Sequence, residues 1–217
     1  MASGRPGRSL NARLAYAGRV STGRYPIEVD LHLAQDPEAD ALLSTSPLAL
    51  LFGMVLDQQV PLEWAFRGPK ELARRLGGRL DAARIAATEP SALEAVFAEK
   101  PALHRYPASM ARRVHALAAE IASTYGGDPA KLWAGVATGT ELRARVKALP
   151  GFGDQKARIF VALAGKQLGI RPKGWVEASA PYGEPGSFRS VADIVDEASL
   201  ARVRDAKKAA KAAARQR

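Results

Sequence analysis

The segment at residues 149–157 has the residue types and spacing to bind an anion with its main chain. It reads Leu-Pro-Gly-Phe-Gly-Asp-Gln-Lys-Ala and joins two predicted helices. Gly151 and Gly153 can adopt backbone angles that are closed to residues with a Cβ, and they let another backbone approach closely. The helix that follows begins with unpaired N–H groups at the positive end of its dipole. Such a hairpin binds phosphate oxygens without reading sequence, whereas the plainer interpretation is a tight turn between helices.

Side chains in and after this hairpin are candidate supports or DNA contacts. We expect Phe152, between the two glycines, to pack down between the two helices. Lys156 and Arg158 follow one turn later and carry positive charge that can pair with a phosphate backbone. Gln155, directly before Lys156, belongs to the same predicted DNA-binding set, as do the hairpin residues Gly151, Phe152 and Gly153.

Two further groups of side chains could contact bases. Gln58 and Gln59 end an otherwise apolar stretch, where polar side chains at an exposed helix end are also ordinary. Trp175 and Tyr182 lie in a region rich in glycine and proline, residues 169–187. Their rings are candidate stacking surfaces for an extruded base, because base–aromatic stacking contributes roughly 1–3 kcal/mol. Packing in the core is the alternative for Trp175.

The composition excludes several kinds of chemistry. The chain has no cysteine, which rules out disulfides, thiolate catalysis and cysteine-ligated metal clusters. His32, His104 and His115 are not spaced as metal ligands, so we expect structural or solvated histidines, no metal site and no cofactor.

Charge is distributed unevenly along the chain. The formal net charge is +10, and residues 100–173 hold 13 lysines and arginines against 4 acidic residues. Residues 26–99 hold 6 basic and 12 acidic residues instead. The basic third therefore contains the hairpin, which favours an anionic partner at that place.

The elements that must position these residues are predicted to be helices. Ser46 before Pro47, and Ser91 with Glu94 three residues later, are typical of helix starts. Helices are predicted at residues 47–59, 61–76, 107–125, 138–148 and 157–168, with another starting at Ser91 and a short one at Asp128. Residues 27–33 alternate in polarity like one short strand, and a lone strand makes no sheet, so the fold class is all-α. The division predicted is a basic N-terminal extension (residues 1–25), a helical domain (26–199) and a basic tail (200–217) that is a solvated helix or disordered.

Two motifs resemble a known superfamily. Residues 149–157 look like the hairpin of the helix–hairpin–helix/Gly-Pro-Asp (HhH-GPD) base-excision DNA glycosylases, and an actinobacterial-type subgroup in particular. Residues 50–60 are similar to that superfamily's early helix, which ends in a glutamine that enters DNA near the flipped nucleotide. The resemblance implies a compact helical glycosylase-like fold, with two lobes possible around a DNA-binding cleft. It assigns that wedge role to Gln59, with Gln58 as its neighbour.

The chain departs from the superfamily at two catalytic positions. The aspartate that normally follows a Gly/Pro loop beyond the hairpin is missing, and Glu177 is the nearest replacement; Asp57 and Glu184 are further candidates, although each could be a surface acid. The Schiff-base lysine of bifunctional members is replaced by Gln155, and an amide cannot form an imine. The resemblance therefore implies a monofunctional enzyme.

The sequence thus supports two functions. The first is a monofunctional DNA glycosylase that flips a damaged or mispaired base and removes it by hydrolysis. The second is a non-catalytic helix–hairpin–helix protein that binds damaged or bent DNA. In both we expect double-stranded DNA as the partner, no membrane association, a monomer, and a cytoplasmic, nucleoid-associated location, because no apolar run has the length of a membrane span.

Overall fold

The computed structural model of the protein describes residues 24–215, and this part of the chain is all-α. The predicted basic extension therefore lies almost wholly outside the described residues. The helices are α1 (Pro37–Thr45), α2 (Pro47–Leu56), α3 (Leu62–Arg75), α4 (Ala82–Ala86), α5 (Pro90–Ala98), α6 (Pro107–Tyr125), α7 (Gly139–Lys147), α8 (Asp154–Gln167), α9 (Trp175–Ala178) and α10 (Glu197–Arg215). Two 3₁₀ turns cover Pro129–Leu132 and Val191–Asp193.

Local capping signals set several helix boundaries as predicted. The Ser46 side chain accepts a hydrogen bond from the Ala49 amide at 3.2 Å and starts α2. Asp128 does the same for the amide of Ala130, which starts a 3₁₀ turn. Gly126 ends α6 in the left-handed conformation that favours glycine. These boundaries follow from contacts within a few residues.

Other predicted boundaries were wrong. Helix α5 starts at Pro90, with no side-chain cap, rather than at a Ser91 capping box, because proline's fixed φ and missing N–H suit the first helical turn. Helix α8 starts at Asp154, directly after the second hairpin glycine Gly153, and three residues before its predicted start.

The strand predicted at residues 27–33 is not formed, and the described residues contain no strand with which it could pair. Its chain runs beside α1, whose side chains satisfy its backbone. The amide of Leu31 donates to Ser44 Oγ at 2.8 Å, and the amide of Ala34 donates to Asp40 Oδ1 at 2.7 Å. Leu31 and Leu33 are buried, Val29 is partly buried and Ile27 is exposed, so the alternation in polarity reflects burial against helices over its second half only.

Helix α2 runs through the core and positions the site at its C-terminal end. All ten of its residues are buried. Helix α3 approaches it closely, because a Cβ at Gly53 would lie only 2.7 Å from the Phe66 ring and one at Gly68 only 2.6 Å from Leu56. The buried α2 thereby carries the turn at residues 57–60 to the surface.

Helices α7 and α8 form the pair that the hairpin joins. Ala157, Phe160 and Leu163 of α8 are buried, which fixes one face of the helix on the core. Helix α10 is also attached, because Leu200 and Val203 are buried. Among the described residues no single helix is both long and apolar enough to cross a membrane; α1 and α2 reach that threshold only jointly, across a bend of 118°.

Candidate nucleic-acid interface

The hairpin exposes the start of α8. Gly151 has a φ of +84°, and Gly153 is the extended residue before the helix. No side chain caps α8, and a Cβ built on Gly153 would meet nothing within 4 Å. Phe152 points the other way and is buried, as predicted. The first amides of α8 are therefore open to an anion from outside.

The structure brings the hairpin against the glutamines although the two segments are 102 residues apart where they meet. Residues 57–60, which we call the Gln turn, follow the C-terminal end of α2. A Cβ on Gly151 would lie 3.1 Å from Val55. The Lys156 ammonium donates to the carbonyl oxygens of Met54 and Val55 at 2.5 and 3.1 Å. These interactions pack the hairpin against the C-terminal end of α2, which leads directly into the Gln turn.

Lys156 is thus used inside the protein. Its positive charge lies at the negative end of the α2 dipole and satisfies carbonyls that have no partner within the helix. Burial lowers the pKa of Lys156 to about 8, and the carboxylate of Asp57 opposes that shift. An ammonium held in this way supports the Gln turn, and a phosphate contact would require it to leave the α2 carbonyls.

The Gln turn presents Gln59 to solvent. Gln59 has a φ of +57°, which is uncommon for a residue with a side chain, and it is exposed. Gln58 points back, donating from its side-chain amide to Val55 O at 2.7 Å and accepting a hydrogen bond from Arg113. Of the two predicted glutamines, Gln59 is the one free to reach a ligand.

An aromatic side chain lies beside Gln59. The Tyr106 hydroxyl donates to Gln59 Oε1 at 3.3 Å, and 41% of Tyr106 is exposed. The Arg105 guanidinium lies 5.5 Å from the centre of the Tyr106 ring. Exposed aromatic and arginine side chains suit stacking on unpaired bases.

Sequence reasoning missed this group. The sequence analysis predicts a helix that begins at residue 107 and a structural or solvated His104, and it assigns no contact with DNA to Tyr106. An aromatic residue next to arginines inside the most basic third of the chain was the available signal. The separation of 47 residues between Tyr106 and Gln59 concealed their contact.

Basic side chains surround the first turn of α8. Asp154 Oδ1 lies 2.5 Å from Arg143 and 3.6 Å from Lys147, and Asp154 Oδ2 lies 2.9 Å from Arg158. The hydrogen bond from Arg143 holds the pKa of Asp154 below its usual range. Arg158 also donates to Ala180 O at 3.1 Å. One carboxylate shared by three cations leaves this surface positive.

Both predicted aromatic residues lie against α8. Gln155 donates to the Tyr182 hydroxyl at 3.0 Å, so Tyr182 does lie beside the hairpin. The Trp175 ring lies over Gly165, near the other end of α8, because a Cβ there would be 2.2 Å from the ring. One face of Trp175 is therefore covered by the protein.

The predicted carboxylates lie on different segments. Glu177 is exposed on α9. Glu184 is exposed, and its main-chain oxygen accepts a hydrogen bond from Lys166. Asp57 is half-buried at the end of α2, directly before the glutamines, and its carboxylate has no hydrogen-bond partner among residues 24–215.

Two other observations concern possible ligand sites elsewhere in the protein. A cavity of about 520 Å³ lies between Pro47, Ala82 and Gly127, at the opposite end of α2 from the Gln turn. Within the described part of the chain, no three His, Asp or Glu side chains are grouped as metal ligands.

Neither protein-family models nor curated protein sequences match this chain. The likeness to helix–hairpin–helix glycosylases therefore remains a resemblance in two motifs.

Proposed function

We propose that this protein is a base-excision repair protein that binds duplex DNA with the hairpin and the Gln turn together. The observation that carries the proposal is the contact of Lys156 with the end of α2: it packs the uncapped start of α8 at Gly153 against the helix that leads into the exposed Gln59–Tyr106 pair. A surface of this kind grips phosphates with main-chain amides and reaches bases with a neighbouring amide and ring.

The contacts indicate which protein groups would bind the phosphates and which would reach the bases. A phosphate accepts hydrogen bonds from the first amides of α8, and Arg143 and Arg158 add charge beside it. Gln59 and Tyr106 extend from the same surface towards the base stack, where an unpaired or extruded nucleotide leaves a gap.

For the chemical step we propose a monofunctional glycosylase with Asp57 as its carboxylate. The carboxylate stabilises positive charge that develops on the deoxyribose and orients a water. The oxygen of this water bonds to C1′ as the C1′–N bond breaks, and the proton that the water loses ends on the departing base. Asp57 is favoured over Glu177 because it adjoins the glutamines. Hydrolysis by water is favoured over an imine because Gln155 stands where bifunctional relatives have the Schiff-base lysine, and the α2 carbonyls hold Lys156.

A specific contact favours the second candidate, a non-catalytic binder of damaged or bent DNA. The Gln155–Tyr182 hydrogen bond fills space directly beside the hairpin, where an extruded nucleotide would need room. Under this alternative the surface recognises a distorted duplex and leaves the glycosidic bond intact.

The test is incubation with duplexes that carry uracil, hypoxanthine, alkylated purines or 8-oxoguanine, followed by alkali. We expect strand breaks with the wild type, a loss of at least about a hundredfold for Asp57→Asn, as for removal of a catalytic group, and wild-type activity for the matched control Glu177→Gln. Breaks that depend on Glu177 instead would reassign the carboxylate. Tight binding without breaks on any duplex supports the non-catalytic binder, and no binding at moderate salt removes the proposal.

A further inference from the structure

His104 connects the Gln turn to Tyr106 through both of its ring nitrogens. The Tyr106 amide donates to Nδ1 at 3.0 Å. Nδ1 is therefore the unprotonated nitrogen, and Nε2 carries the hydrogen. Nε2 lies 3.1 Å from Leu56 O and 3.0 Å from Gln58 O, so it donates to both carbonyls.

The ring is buried, with 1% of His104 exposed, and it is wedged between Trp64 and Tyr106 at centroid distances of 6.4 and 6.1 Å. Tyr106 is thereby held at two points, its amide by His104 and its hydroxyl by Gln59. The Gln turn is held at the Leu56 and Gln58 carbonyls by the same imidazole.

We propose that neutral His104 is a positioning residue that holds Gln59 and Tyr106 as one rigid unit, and that its protonation releases Tyr106. A proton on Nδ1 would point at the Tyr106 N–H, so two donors would face each other and the hydrogen bond would break. The hydrogen bonds of Nε2 with the two carbonyls would persist.

The surroundings favour the neutral ring. Burial lowers the pKa of His104, and the charges of Arg113 on α6 and Lys156 on α8 lower it further, while the two carbonyls oppose the shift. The carboxylate of Asp57 raises the pKa of Lys156. Among the described residues, the other titratable group against the His104 ring is the Tyr106 phenol. Because the folded protein lowers the pKa of His104, protonating this ring costs more free energy in the folded than in the unfolded state. The stability that the neutral ring contributes is therefore lost as the pH falls and restored as the pH rises.

The pH dependence that this proposal predicts for DNA affinity is opposite to the usual one, and this prediction rests on the proposed function. Histidine protonation ordinarily adds positive charge and strengthens DNA binding as pH falls. If Tyr106 is released, affinity for a duplex with an unpaired or abasic position should instead fall about tenfold between about pH 7 and about pH 5. Lys156, whose pKa is about 8, stays mostly charged over this window.

Two variants separate the two sides of the ring. His104→Gln keeps a donor for the Leu56 and Gln58 carbonyls and removes the acceptor for Tyr106, so it should bind such a duplex about tenfold more weakly at pH 7, without the acid-dependent loss. His104→Asn keeps an acceptor for the Tyr106 amide and should retain most of the affinity. His115→Gln is the control and should preserve the wild-type pH profile.

A measurement on the protein without DNA keeps this test independent of the proposed function. In NMR spectra, the wild-type His104 ring should show the Nε2–H tautomer, and the Tyr106 amide should lose its protection from exchange when His104 is protonated. The opposite tautomer, or a Tyr106 amide indifferent to that protonation, would overturn the positioning role. If the NMR result holds and no DNA binds, only the proposed function fails.

Discussion

At Gly151 the main chain turns through the left-handed region, with a φ of +84°, and a Cβ would press on Val55 at 3.1 Å. At Gly153 the chain is extended, with a φ of −89°, and the space around a Cβ is open. The first glycine is needed for folding, whereas the second keeps the start of α8 accessible. The repeated glycine in the motif thus has two separate physical reasons.

Valine substitutions should distinguish these roles. We expect Gly151→Val to lower the free energy of unfolding by about 2–4 kcal/mol, because backbone strain and the clash with Val55 add. Gly153→Val should change it by less than about 1 kcal/mol and yet reduce DNA affinity, because the side chain shields the α8 amides. Denaturant unfolding and binding to one duplex measure both effects. Equal destabilisation by the two substitutions would contradict this division.

At the scale of elements, α10 combines an anchored start with a basic end. Leu200 and Val203 belong to the core, and Arg204 pairs with Glu63 near the start of α3. Beyond this point the helix is alanine-rich, and its lysines Lys207, Lys208 and Lys211 are exposed. The tail was predicted to be a solvated helix or disordered, and residues 206–215 are helical with an exposed lysine face.

Two truncations should therefore behave differently. Removing residues 206–217 should leave the free energy of unfolding within about 0.5 kcal/mol. It should also flatten the dependence of DNA affinity on salt, by about 0.9 in log–log slope for each phosphate that the tail no longer neutralises. Removing residues 200–217 takes two apolar side chains out of the core and should cost about 3 kcal/mol or more. An unchanged salt slope after the shorter truncation would mean that the tail does not touch DNA.

At the scale of the whole molecule, exposed arginines lie both beside the Gln turn and at the opposite end of α2. Arg105 and Arg113 are exposed beside Gln59, and neither has an acidic partner among the described residues. Arg79 and Arg84 are equally exposed, but they flank the cavity at the other end of α2. The two pairs carry the same charge at different places.

This arrangement makes a charge-matched comparison possible. The double variant Arg105→Ala/Arg113→Ala should reduce the salt slope of DNA binding by about 2 and weaken binding on all sequences alike, because phosphate contacts carry no sequence information. Arg79→Ala/Arg84→Ala removes the same net charge and should bind almost as the wild type. Equal losses would indicate that only net charge matters and that this surface is not the interface.

Much of the local structure was predictable because its causes are local. Ser46 and Pro47 start α2 with contacts inside one turn, and Gly126 ends α6 through its own backbone. The hairpin at residues 149–157 and the all-α class follow from spacing of the same short range. The polarity of residues 27–33 was ambiguous, because the chain can bury alternate residues without a neighbouring strand.

Tertiary packing alone decided which of the candidate residues are neighbours. Lys156 reaches α2 across 102 residues and so joins the hairpin to the end of α2 that leads into the Gln turn, while the Trp175 ring packs over Gly165 of α8. The sequence by itself determined which residues could bind phosphate, stack or carry charge. Their distances depend on buried contacts between remote segments, and the free energy of those contacts is set by the whole core rather than by any local pattern.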